Sequence, residues 1–375
     1  MKVDKTKQKI CRLEDICVVR TGRKDANHAS DNGEYPFFTC GINPLKSTTY
    51  SFDGENLIIP GNGDIGRCFY YNGKIEAYQR TYVLHLKENS NIDIKYLYLV
   101  FKAGWKLFVK NKILGAAMPY IKLGHLNSFP ITIYELGVQK VIATELDSIQ
   151  TIIDGYKAQL EDLDALAQSI FLDMFGDPIT NPKEWVIDKL GNHIKVIGGY
   201  AFKSGSFLES GIPVLRIGNI NSGVFKKDNL VFWQEDNKLL RYKIYPGDLV
   251  ISLTGTVGKS DYANVCILDR SYTMYYLNQR NAKLELSNDI GKSYLTWLLK
   301  HKHIKNKLTK ISRGIRQANM SNKDIEELII PLPPLTLQQD FANQVEAIEK
   351  QKELIKSQLA DAETLMAERM QYYFS

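Results

Sequence analysis

The stretch VQKVIATELDSIQTIIDGYKAQLEDLDALAQSIFLDMF, residues 138–175, decides the fold. Its apolar residues stand at Ile142, Leu146, Ile149, Ile153, Tyr156, Leu160, Leu163, Ala167, Ile170 and Met174, in alternating steps of four and three. That spacing is a heptad seam. A helix of this length reaches roughly 55 Å at about 1.5 Å per residue, and a single apolar stripe on so thin a rod needs a partner to cover it. The same sequence supplies one. A shift of 199 residues carries the ten seam positions onto Phe341, Val345, Ile348, Lys352, Ile355, Leu359, Ala362, Met366, Arg369 and Tyr373, and eight of the ten are again apolar or aromatic. The plainer alternative is a pair of surface helices, each covering its own domain. Such helices usually run about 8–20 residues, and these are longer.

What precedes each helix is repeated as well. Leu13 and Gly22 correspond to Leu190 and Gly199, Tyr35-Pro36-Phe37-Phe38 to Ile212-Pro213-Val214-Leu215, and Gly41 to Gly218. After a short insertion Asn56-Leu57-Ile58-Ile59 meets Asp248-Leu249-Val250-Ile251, Gly63 meets Gly255, and Ile65-Gly66-Arg67 meets Val257-Gly258-Lys259. Arg80-Thr81-Tyr82 is paired with Arg270-Ser271-Tyr272. Both portions read as mixed α and β: strands at residues 35–40, 57–59 and 77–86, a helix in two parts over 95–112, and a buried turn and strand over 123–133, with Gly137 breaking the run before the first long helix. The repeat gives the domain plan: 1–137, a globular portion; 138–176, the first helix; 177–335, a second portion of the same kind; 336–375, the second helix. Asp-Pro and Asn-Pro within residues 176–183 form the linker.

Composition excludes several classes. With 44% hydrophobic and 24% charged residues the chain is not of the disordered type. No stretch is long and apolar enough to span a bilayer, the first residues lack the apolar core of a signal peptide, and a cytoplasmic protein is expected. Five cysteines without a CxxC pair predict neither a disulfide framework nor a zinc site. A net charge of +6 permits an anionic partner without requiring one. The segment 254–260, TGTVGKS, imitates a nucleotide-binding loop, but Leu253 stands where the first glycine is needed and the sister copy has Arg67-Cys68 after Gly66. Glycine at a tight turn explains it better. Six histidines are scattered, and His301-Lys302-His303 reads as a solvated face rather than a metal site. No catalytic constellation is found.

Basic residues beside aromatics recur at one place in each copy. The first has Lys106, Lys110, Lys112 and Tyr120 around Gly115-Ala116-Ala117; the second has Lys305, Lys307, Lys310, Arg313, Arg316 and Gln317 around Gly314. With Arg67 and Lys259 on the glycine turns, these are the candidate DNA contacts: cations suit phosphates, and Arg or Gln on a loop can reach base edges. The rival explanation is an ordinary solvated surface. It fits single lysines, but three long polar side chains around one glycine are costly to order without a partner.

These residues carry a family resemblance. The loop Arg313-Gly314-Ile315-Arg316-Gln317, a short polar helix, and Ile329-Ile330-Pro331-Leu332-Pro333-Pro334-Leu335 running through Gln338-Gln339 into a long helix resemble the specificity subunit of type I restriction-modification systems. The resemblance covers essentially the whole chain. It implies an α+β fold of two target recognition domains, separated by long helices that pair as an antiparallel coiled coil about a pseudo-twofold axis. It implies double-stranded DNA as ligand, each domain reading one half of a bipartite target. It also implies two methyltransferase subunits using S-adenosylmethionine and motor-nuclease subunits using ATP and Mg2+ as partners, with no cofactor or catalysis in this chain. The first copy departs from the pattern at Glu135-Leu136-Gly137 and at Gly115-Ala116-Ala117. The rivals are a coiled-coil adaptor that binds no DNA, and a fused restriction-methylation enzyme, for which a methylase motif is missing.

Overall fold

A computed structural model of the chain describes residues 8–115, 117–220, 223–257, 259, 261–310 and 318–374. The chain divides into two compact units, residues 1–158 with 356–375 and residues 159–355. The division runs through the long helices, so each unit owns one globular portion and a piece of each helix, where the sequence plan set the helices apart as separate pieces.

The first unit is built on an antiparallel sheet ordered Cys17–Thr21, Thr81–Leu86, Glu55–Pro60, Phe69–Asn72. Tyr35–Phe38 forms the middle of a smaller sheet, antiparallel to Leu45–Ser47 and parallel to Glu76–Ala77. Lys9–Arg12 pairs with Pro130–Ile133 and ties the start of the unit to the strand that enters the long helix. The second unit repeats all three: a sheet ordered Ile194–Gly198, Asn281–Leu286, Leu249–Ser252, Val265–Ile267; a smaller sheet in which Ile212–Leu215 runs parallel to Tyr275–Leu277; and the pair Val186–Lys189 with Ile329–Leu332. Leu13 and Leu190 open equivalent turns, both fully buried, their N–H groups donating to Phe129 at 3.0 Å and Leu328 at 2.8 Å.

Several sequence expectations are corrected. Residues 77–86 are not one strand but Glu76–Ala77 and Thr81–Leu86 with a turn between, because the chain crosses from the small sheet to the large one there. The helix over 95–112 is a single one, Ile94–Val109, started by Asp93, whose carboxylate accepts from Tyr96 N at 2.9 Å. The break comes in the second unit, between Lys292–Lys300 and Lys302–Lys310, where His301 leaves the helical conformation. Gly137 does not stop the first long helix, which runs Leu136–Phe175. A glycine in the first turn removes little, since that turn's N–H groups have no partner within the helix. The second long helix runs Leu335–Phe374.

All ten seam positions of each helix are buried or half-buried, with one shift: at the end of the first helix Phe171 and Phe175 are the fully buried residues while Ile170 and Met174 are half-buried. A straight helix drifts about 20° per heptad, so four heptads after Ile142 the inward face has moved by nearly one residue. The two non-apolar seam positions meet carboxylates. Arg369 Nε lies 3.0 Å from Glu145, which also accepts from the Tyr373 hydroxyl at 2.6 Å. Lys352 Nζ lies 2.7 Å from Asp164 and 2.9 Å from Glu349. No described helix is long and apolar enough to cross a membrane.

Candidate nucleic-acid interface

In the first unit the helix Ile94–Val109 buries Leu97, Phe101, Trp105 and Val109 at steps of four, which leaves Lys102, Lys106 and Lys110 exposed. Trp105 Nε1 donates to the Ile65 carbonyl at 2.8 Å and so fixes the turn that carries Arg67. Gly66 packs against the Lys106 side chain at this contact, a Cβ there lying 2.9 Å from Lys106 Cγ. Arg67 and Lys106 are thereby neighbours. Arg67 is already engaged, bridging Asp64 at 2.6 Å, whereas Lys112 holds its ammonium 4.6 Å from the Phe108 ring centroid. Leu114 and Tyr120 close the following loop with reciprocal backbone bonds of 2.9 and 2.8 Å, and Gly115 supplies the left-handed residue at φ +85°. Met118 and Tyr120 are exposed on it. The loop rests on Asn62, whose amide donates to Met118 Sδ at 3.4 Å, while the exposed Arg80 guanidinium only approaches the same sulfur, at 3.9 Å.

The second unit places Lys307 and Lys310 on the exposed face of Lys302–Lys310, with Ile304 and Leu308 buried beneath. Lys305 is a different case: half-buried, its Nζ donates to Asn264 at 2.6 Å, and burial pushes the amine below its ordinary value. It belongs to the packing of the unit. Arg313, Arg316, Gln317 and their glycine lie outside the described residues, as does Gly258. Ala318–Asn319, just beyond the basic loop, pairs with Thr254–Gly255, as Tyr120 bridges Asn62 in the first unit. The nucleotide-loop lookalike is tied to an acid: Thr256 donates to Asp261 from its backbone at 2.8 Å and its hydroxyl at 2.7 Å. Lys259 is exposed beside it.

The pairing of Arg80 with Arg270 is overturned. The residue in the position of Arg80 is Arg280: Gly61 N donates to the Arg80 carbonyl and Leu253 N to the Arg280 carbonyl, both at 2.8 Å. Sequence reasoning passed over this pair because the second copy is longer here and Arg270-Ser271-Tyr272 is a convincing decoy; the available signal is the dipeptide Gln-Arg itself, at 79–80 and 279–280. Gln279 and Arg280 also line a cleft of about 820 Å³ with Phe207, Arg216 and Lys226.

Other chemistry is sparse among the described residues. Asp177, His301 and His303 bring ligand atoms within 4.8 Å of one another. The Asp177 carboxylate is occupied, however, accepting from Ile179 N at 2.7 Å and Thr180 N at 3.2 Å and pairing with His303 at 3.1 Å. The sequence reading of a solvated histidine face thus gains an acid that caps the linker. The five cysteines are free, and burial pushes Cys17 and Cys266 up to about 12, the opposite of an activated nucleophile.

Comparison with known proteins agrees with this layout. The family described as the type I restriction modification DNA specificity domain matches twice, over residues 6–163 and 182–364. The EcoDI specificity subunit of Escherichia coli is 32% identical over 41% of this chain and 34% of its own length. The MjaVIII specificity subunit of Methanocaldococcus jannaschii is 24% identical over 91% of this chain and 85% of its own. Among solved structures, the S subunit of a type I restriction-modification system from M. genitalium superposes with a TM-score of 0.67 at 16% identity, covering 100% of this chain and 98% of that one. A chain from a study of complex assembly and conformational transition in the type I system gives 0.55 at 14% identity, covering 98% and 97%.

Proposed function

Because the chain belongs to the family of type I restriction-modification DNA specificity subunits, we propose that it selects a bipartite DNA sequence, each globular portion reading one half and the long helices fixing the gap. Its general role is DNA specificity, and the members of this family are non-catalytic. The single observation that carries the bipartite reading is the duplication: two copies of one domain, each with its own large and small sheet and basic helix. Duplicated readers joined by a measured spacer suit two separated half-sites.

The helices pair antiparallel in this reading. The contacts inside each unit support it: as the partner on the first helix climbs from Glu145 through Asp164 to Met174, the partner on the second falls from Tyr373 through Lys352 to Gln344. The faces left open by this pair dock two methyltransferase subunits that bring S-adenosylmethionine, and motor-nuclease subunits with ATP and Mg2+ join them in the cytoplasm. The candidate contacts divide by chemistry. Lys106, Lys110, Lys112, Lys259, Lys307 and Lys310 meet phosphates; Tyr120 in the first copy and, by their chemistry alone, Arg313, Arg316 and Gln317 in the second are the residues assigned to bases.

The test is to map methylated adenines in DNA exposed to this chain together with its methyltransferase subunit. One bipartite motif with a fixed gap is expected. A continuous motif removes the two-reader assignment, and an absence of salt-dependent DNA binding makes the chain a coiled-coil adaptor instead.

A further inference from the structure

The turn that leaves the small sheet for the large one is built the same way in both units, down to its hydrogen bonds. In the first, Gln79 N donates to the Lys24 carbonyl at 2.9 Å, Thr81 N to Tyr78 at 2.8 Å, and Gly22 N to Thr81 at 3.2 Å. In the second, Gln279 N donates to Tyr200 at 2.9 Å, Asn281 N to Asn278 at 2.9 Å, and Gly199 N to Asn281 at 3.2 Å. Gly22 and Gly199 back the two turns so closely that a Cβ would lie 1.9 Å from the Ala77 oxygen or 2.2 Å from the Asn278 oxygen. The backbone is therefore held rigidly.

What rides on this backbone runs opposite to what packing produces. The flanking positions, which are buried or half-buried, differ between copies, Tyr78 against Asn278 and Thr81 against Asn281. The exposed pair is identical, Gln79-Arg80 and Gln279-Arg280. Packing constrains buried residues and leaves exposed ones free, so an identical exposed pair needs another cause. Neither Arg80 nor Arg280 pairs with a carboxylate among the described residues, unlike Arg67 and Arg369. Arg80 lies against the Gly115 loop through Met118, and Leu253, which donates to the Arg280 carbonyl, accepts from Met320 N at 2.9 Å just past the basic loop.

Resting on the reading of each domain as a DNA reader, we propose that these two turns are phosphate clamps, Arg80 and Arg280 each holding the DNA backbone while the neighbouring loop reads bases. The division of labour follows from what is shared. Residues common to both domains cannot make them read different sequences, whereas the loops, Gly115-Ala116-Ala117-Met118 against Gly314-Ile315-Arg316-Gln317, differ at every residue after the glycine. Phosphate contacts set register and carry no sequence information. A guanidinium on a fixed turn is suited to that task.

The experiment uses the full chain assembled with its methyltransferase subunit, and measures binding to its mapped target and to a scrambled duplex at several salt concentrations. Each of Arg80→Ala and Arg280→Ala should lower the slope of log affinity against log salt by about 0.9, the double variant by about twice that, with both duplexes weakened by one factor and the methylated motif unchanged. Arg80→Lys and Arg280→Lys should keep the slope, and thermal melts should match the unsubstituted chain, both side chains being exposed. An unchanged slope in both alanine variants, or an altered base in one half-site, overturns the clamp while the domain reading stands. No salt-dependent binding by the unsubstituted complex overturns the domain reading itself.

Discussion

At the start of each long helix one buried glutamine performs the same task. Gln139 accepts from Asp93 N at 2.9 Å and donates to the Tyr134 carbonyl at 2.7 Å; Gln338 accepts from Gly291 N at 2.6 Å and donates to the Pro333 carbonyl at 2.8 Å. Each joins the long helix to the start of the helix that buries the domain core. Gln139→Ala or Gln338→Ala leaves buried backbone groups unpaired, so a loss of about 1–3 kcal/mol is expected in urea unfolding; a change near zero would mean that water enters and takes over both bonds. Glutamine is a common helix former and its partners stand 46 and 47 residues away, so nothing local in the sequence marks the role. Charge is similarly deceptive. Lys305 counts in the sequence as one more cation, yet its contact with Asn264 makes it structural, so Lys305→Ala should cost stability. Lys307→Ala should instead weaken binding to all DNA equally, and Arg316→Ala should relax one half-site by about 1–3 kcal/mol, as titrations on cognate and scrambled duplexes would read. Acid sensitivity is expected from two carboxylates, Asp289 and Asp188, which hydrogen-bond the two ring nitrogens of His193 at 2.6 and 3.1 Å. Hydrogen bonds from Ser287 and His193 hold Asp289 below the usual carboxylate range, and those from Lys189 N, Asn192 and His193 do the same for Asp188. A lowered carboxylate stabilises above its unfolded pKa and loses that contribution as pH falls through its folded value. Asp289→Asn should therefore flatten the decline of Tm below about pH 4, and an unchanged profile would assign the acid loss to other groups.

The long helices were legible because their signal is repeated over many turns, and a period survives a few wrong residues. Its drift at the far end, where Phe171 and Phe175 are fully buried and Ile170 and Met174 half-buried, arises from the mismatch between 3.5 and 3.6 residues per turn, which accumulates only over the full length. Strands were harder. The chain between Tyr35 and Leu86 changes sheet three times, and apolar runs show that a segment is buried without showing which sheet buries it. Lys352 and Arg369 look like defects in the seam, whereas each answers a carboxylate on the other helix. Hydrogen bonds to Asp164 and Glu349 outweigh burial and hold the Lys352 amine above its ordinary value. Such pairs specify register better than they add stability. Truncation after Pro334 removes the whole second helix and uncovers Ile149, Ile153, Tyr156 and Leu160. The shortened chain is expected to aggregate or to pair with a second copy in light scattering. If it stays monomeric and still recruits two methyltransferase subunits, the helix pair is not the docking platform.

At the scale of the molecule the duplication was the strongest signal in the sequence, because the same motifs recur in the same order through both halves of the chain, and chance composition does not produce such an order. It does not reveal which bases are read, since that depends on loops whose side chains differ between the copies. The proposed geometry has a strict consequence. If the paired helices behave as a rigid rod, the separation of the readers is set by rod length and their relative rotation by the heptad count. One base pair changes separation along DNA by about 3.4 Å and facing by roughly 35°, so the tolerance is narrow. Inserting four residues between Gln159 and Leu160 adds about 6 Å of helix and should lengthen the non-specific gap of the methylated motif while leaving both half-sites unchanged. Four residues are not a whole heptad, so the seam beyond the insertion turns out of register and some stability is lost; seven preserve the seam but add more length. The motif of each variant is read from treated DNA. An active variant that keeps the original gap would mean the helices do not set the spacing, and a changed base in either half-site would mean the two domains are not independent readers.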